Sequence, residues 1–138
     1  MPDHIETKIY EGLIAHFETL SLPAGTEVAY PNVDFTPSGD WFVAVSVSRG
    51  KPINHDMGGG EEPERRGFFL VRVCRKANKG TNAATNLAGS IRDHFAFGTI
   101  IRHDGIEIWI TEEPSVEDGE QGPVYYETPV VIPWRVYP

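Results

Sequence analysis

Ala29-Tyr30-Pro31-Asn32-Val33-Asp34-Phe35-Thr36-Pro37 leads through Pro37-Ser38-Gly39-Asp40 into Trp41-Phe42-Val43-Ala44-Val45-Ser46-Val47-Ser48, and this stretch decides the fold. Pro31 fixes its own φ, lacks a backbone N–H and pushes Tyr30 into extended geometry. The segment therefore leaves a short strand at residues 28–30, crosses a surface in extended form and turns into the next strand. In that strand Trp41, Val43, Val45 and Val47 share one face, and Ala44, Ser46 and Ser48 share the other. It offers no nucleophile, no metal-ligand set and no phosphate cradle, and reads as architecture.

Outward from this point the pattern continues. Residues 3–20 predict an amphipathic helix, with Ile5, Ile9, Leu13, Phe17 and Leu20 on one stripe. Asp3 is the expected N-cap, with Glu6 completing a capping box. Pro23 and Gly25 stop the helix. Residues 68–75 read as a strand. Thr81 caps a second helix to about residue 95, with its stripe on Ala84, Leu87, Ala88, Ile91 and Phe95. Residues 99–111 form a hairpin around Asp104-Gly105, the strongest short-range hairpin signal in the chain. Residues 112–122 read as an acidic loop. Residues 124–137 make a last strand, which Pro129 and Pro133 should confine to an edge or break in two.

This order predicts an α+β fold, a mostly antiparallel sheet of five to six strands with two helices packed on one face. Trp41, Phe69, Trp109 and Trp134 are its expected aromatic core. The 138 residues suit one domain, spanning 1–138, with a long flexible loop at about 50–65. Such a loop should carry little core burial, so removing residues 52–64 is expected to spare the fold.

The formal net charge of −8 argues against a bound nucleic acid, since phosphate binding needs clustered Lys and Arg. Cys74 is the only cysteine, so there is no intrachain disulfide and a reducing compartment is expected. The apolar runs are too short to span a membrane, and the first residues carry no secretory signal.

The search for chemistry finds none. The five histidines fall on different elements without paired spacing, which predicts isolated side chains and no metal site. Cys74 sits in strand-periodic sequence and reads as a small buried hydrophobe. Gly58-Gly59-Gly60 lacks the Lys-Ser/Thr pair of a phosphate loop. The acidic runs lack the alternating order of a calcium loop. No catalytic residue, no metal site and no cofactor is assigned, and the chain is not expected to be an enzyme.

Several pieces, in order, resemble the tail terminator-like proteins of tailed bacteriophages and prophages. They are Ala29-Tyr30-Pro31-Asn32 with Phe35 and Pro37, Gly67-Phe68-Phe69-Leu70-Val71, and Leu87-Ala88 to Ile91. Phe95 with Gly98-Thr99 and Val131-Ile132-Pro133-Trp134-Arg135 complete the set. The resemblance runs from about residue 5 to residue 136. The sequence departs from the pattern in having Tyr30 where Trp is commoner and in a longer loop at 51–65.

The resemblance implies a structural protein forming a homo-oligomeric ring, usually a hexamer, at the head-proximal end of the virion tail, assembled in the host bacterial cytoplasm. Its partners would be further copies of itself, the tail tube protein and a head-completion or connector protein. DNA would pass through the lumen without specific binding, and no membrane is involved. The expected oligomer or tube interface comprises Pro31, Asn32, Phe35, Arg49, Lys51, Arg65 and Arg66. A head–tail joining protein, or a small-ligand-binding domain using a pocket beneath residues 30–37, are the alternatives.

Overall fold

A computed structural model describes residues 3–37, 39–55, 58, 62–77 and 80–137. Ser38 of the expected turn and Gly59, Gly60 and Glu61 of the long loop lie outside them. The element order is α1 (Ile5–Glu18), β1 (Glu27–Ala29), β2 (Trp41–Arg49), β3 (Arg65–Lys76), α2 (Asn82–His94), β4 (Ile100–His103), β5 (Ile106–Trp109), β6 (Ser115–Val116), β7 (Glu120–Gln121) and β8 (Tyr125–Val136). The strands form one sheet in the order β1-β2-β3-β8-β5-β4, with β6 and β7 also paired to β8. All pairings are antiparallel except β1 with β2. The α+β architecture expected from periodicity is the one observed.

Both helices cover the same sheet face. Alternation in β2 and β3 sends Val43, Val45, Phe69, Val71 and Val73 into the core, and β8 adds Val130, Ile132, Trp134 and Val136. Against them lie Ile9, Leu13 and Phe17 of α1 and Ala84, Leu87, Ala88 and Ile91 of α2. The rings of Phe17 and Phe95 contact Phe69 at 6.3 and 5.4 Å between centroids. Each such fully buried side chain contributes roughly 1.5–3 kcal/mol. Trp134 and Phe69 belong to this core as expected. Trp41 and Trp109 are only partly buried: Arg75 lies over the Trp41 ring at 4.7 Å, and Trp109 meets Tyr137 edge-on.

Four expectations need correction. β8 is neither broken nor at an edge; it is a continuous 12-residue strand pairing with β3 along one side and with β5, β6 and β7 along the other. Its prolines are tolerated because of where their nitrogens point. In an antiparallel strand, a residue's N–H and C=O face the same neighbour. The Pro129 carbonyl accepts from Glu117 N, so Pro129 and Pro133, four residues on, both turn towards the discontinuous side. Pro133 faces the gap between β5 and β6, and Pro129 the end of β6, so neither breaks the ladder to β3.

Second, the acidic segment 112–122 is not all loop, since it contributes β6 and β7. Third, the N-cap of α1 is His4, with no side-chain cap hydrogen bond, so the Asp3–Glu6 capping box does not form. Fourth, the loop after β2 is tied down near its ends. Ile53 and Glu64 exchange two backbone hydrogen bonds of 2.8 Å, and Glu64 is buried, so a deletion reaching Glu64 would remove a packed residue.

The Asp104-Gly105 turn is as expected, with both residues at positive φ (46° and 82°), the requirement of a tight hairpin turn.

Candidate functional site

Three strand ends meet at one end of the sheet: the end of β2, the start of β3 and the end of β8. The register pairs Arg49 with Gly67, Arg66 with Arg135 and Arg65 with Val136. Arg66 and Arg135 are thus cross-strand neighbours on the face opposite the helices, a like-charge pairing that is unfavourable by itself. Glu64 offsets it, its carboxylate lying 3.6 Å from Arg135 Nη1 and 3.1 Å from His55 Nε2.

Between these strand ends lies a cleft of about 370 Å³, with Phe68, Pro133 and Trp134 as its apolar walls and Arg49, Arg66 and Arg135 as its cations. Glu112 is the carboxylate among its lining residues. Gly67 lines the cleft at a position with no room for a side chain. A Cβ there would collide with the Ser48 carbonyl oxygen and stand 2.8 Å from the Trp134 ring. Phe68 remains 45% exposed beside the arginines.

The expected interface residues divide between the two ends of the molecule. Arg49, Lys51, Arg65 and Arg66 gather at this basic end. Pro31, Asn32 and Phe35 precede β2 and lie at the other, since β2 is nine residues, roughly 27 Å, long. There Asn32 takes φ 56°, which Asn tolerates better than most residues. Phe35 packs on Phe42 at 5.3 Å, and Phe42 meets Tyr125 edge-on at 4.9 Å. The Tyr30 hydroxyl donates to Glu18 Oε1 at 3.0 Å; burial, then this carboxylate, push its pKa up. The Tyr125 hydroxyl donates to the Gly39 carbonyl, and Gly39 N to Glu27 Oε1. The crossing segment is thereby pinned to α1 at its start and to the sheet at its end.

Arg135, Phe68 and Glu64 escaped the sequence reading. The first two were inside the recognised motifs, but only strand register shows that they converge with Arg49 and Arg66. The histidines were expected to be isolated; instead His16 and His94 stack, with ring centroids 4.4 Å apart. Burial lowers the His16 pKa. Burial, reinforced by Glu127, pushes the Cys74 thiol up to about 12, which suits its reading as a buried hydrophobe.

Residues 8–134 match the phage tail terminator protein family. The chain belongs to this family. No curated protein matches it. A solved structure whose name states no function is similar, with a TM-score of 0.74 and 20% identity over 97% of this chain and 95% of that one, a likeness of fold. Family membership makes the chain a structural protein of phage tail assembly that interacts with tail components. No helix among the described residues is long and apolar enough to cross a membrane.

Proposed function

We propose that the chain assembles into a closed ring, of six copies, that caps the last ring of the tail tube. The cap stops polymerisation and offers its other surface to head-completion proteins. Residues Pro31, Asn32 and Phe35 at one end of the sheet and Arg49, Lys51, Arg65 and Arg66 at the other make contacts with copies and with the tube. The observation that carries this reading, beside family membership, is the bare sheet face. Both helices lie on one side, leaving Ala44, Ser46, Leu70 and Val131 half-buried on the other with no helix over them among the described residues. Such a surface suits packing against a protein neighbour. The acidic net charge suits a lumen through which DNA passes without being held.

Light scattering across a concentration series, with negative-stain images, tests the ring. Binding to purified tail tubes and to portal-side proteins tests the position. Rings on tube ends support the reading. A chain that stays monomeric at high concentration and ignores tubes overturns it, and binding to portal-side proteins alone favours a head–tail joining role.

A further inference from the structure

The sheet carries charge of opposite sign at its two ends. At one end Arg49, Arg66 and Arg135 line the cleft, Arg66 and Arg135 from the sheet face opposite the helices and Arg49 from the last residue of β2, with Glu112 as the carboxylate among the lining residues. Arg135 is shared with buried Glu64, whereas Arg49 and Arg66 are exposed and make no ion pair among the described residues. Towards the other end the β7–β8 hairpin, residues 120–125, carries Glu120, and the segment leading into it from β6 carries Glu117 and Asp118, all exposed, with Val124 54% exposed beside the turn. None of these three carboxylates makes an ion pair among the described residues; Glu117 accepts a hydrogen bond from the Ser115 hydroxyl. Arg75 on the adjacent strand end is turned onto Trp41, and Lys76, opposite Tyr125, and Arg72, opposite Pro129, are the other cations of that strand end.

The hairpin has a defined shape. Glu120 and Gln121 pair with Glu127 and Tyr126, and Gly122 N donates to the Tyr125 carbonyl at 2.8 Å. Gly119 lies so close to the Tyr126 ring that any side chain there would collide with it. The acidic groups are therefore presented on a braced projection.

From Glu127 to Arg135 is eight residues of continuous strand, roughly 26 Å, so a hairpin cannot reach the cleft of its own chain. We propose that the arginine cleft receives the β7–β8 hairpin of a neighbouring copy, joining successive copies head to tail. This deepens the ring reading and rests on it. Two different patches that complement one another generate a heterologous contact, which closes into a ring when its rotation permits; a self-complementary patch gives only a dimer. The carboxylates meet Arg49 and Arg66, and Pro123-Val124 meets the apolar wall of Phe68 and Pro133. Charge complementarity sets the register and speed of encounter, and the apolar contact holds it.

The test is a charge exchange, read by sedimentation at low and high salt. One variant carries Arg49→Glu and Arg66→Glu, a second carries Glu117→Lys and Glu120→Lys, and a third carries all four changes. All positions are exposed, and circular dichroism confirms folding. Either pair alone should weaken ring formation about 100-fold, and the four together should recover most of it. Wild-type rings should also weaken as salt rises. Unimpaired rings from either pair, or a fourfold variant no better than its parents, overturns the proposal while leaving the terminator reading in place. A wild type that forms only a closed dimer, or no ring in solution or on tubes, overturns both.

Discussion

His16 and His94 each bond to the other's backbone. His16 Nε2 donates to the His94 carbonyl at 2.8 Å, His94 Nε2 donates to the His16 carbonyl at 2.7 Å, and the rings stack between the bonds. The Thr19 hydroxyl donates to the same His16 carbonyl and accepts from His94 Nε2. The last turn of α1 is thus tied to the last turn of α2 through the carbonyls of both histidines.

This latch gives the fold a pH dependence. Burial holds the His16 pKa below its usual value of about 6.5. Between the folded and unfolded pKa values the unfolded chain binds the proton and the native chain does not, so stability falls as pH drops below about 6.5. Urea unfolding at pH 7.5 and pH 5.5 should show a lower midpoint at the acid value. His16→Gln should flatten that difference while losing stability at both.

Two glycines should respond to alanine with opposite signs. Gly67→Ala has no room beside Ser48 and Trp134 and should cost about 1–3 kcal/mol by overpacking. Gly89→Ala lies within α2, where its Cβ would meet only Arg92 Nη2 at an ordinary 3.7 Å. It should gain roughly 0.5–1 kcal/mol from helix propensity. Thermal melts of both variants check the pair.

Glu64→Ala removes a buried carboxylate shared by Arg135 and His55 and should cost about 2 kcal/mol in urea unfolding, because the guanidinium loses its partner. Glu64→Gln should cost less, since it keeps an acceptor. Shortening the chain between Asn54 and Glu62 should cost less than either, because the Ile53–Glu64 bridge stays intact.

Cys74 should be inert while the protein is folded. Burial, with Glu127 beside it, raises its pKa to about 12, so at pH 8 almost no thiolate is available. A chromogenic disulfide reagent should react slowly with the native protein and fast in denaturant. Above about pH 8.5 the unfolded thiol ionises and the native one does not, so this group subtracts stability as pH rises.

Much of the fold was legible because both helices and five strands carry clean periodicity. The stripe from Ile9 to Phe17 and the alternation from Trp41 to Val47 each name a buried face. The errors came where one element depends on another. Pro129 and Pro133 read as interruptions because the sequence of β8 does not show that their nitrogens face a discontinuous neighbour. Ser115-Val116 and Glu120-Gln121 are too short and polar to signal strands, and they exist only because β8 lies beside them. The site suffered similarly. Arg49, Arg65 and Arg66 were expected as interface residues, but Arg135, 69 residues after Arg66, joins them only through the pairing of β3 with β8.

Because β8 lies between β3 and three segments made before it, none of these neighbours can finish its ladder until that strand has left the ribosome. Synthesis must run nearly to the end of β8 before a stable body can form. Half-made chains therefore lack the strand that completes the sheet.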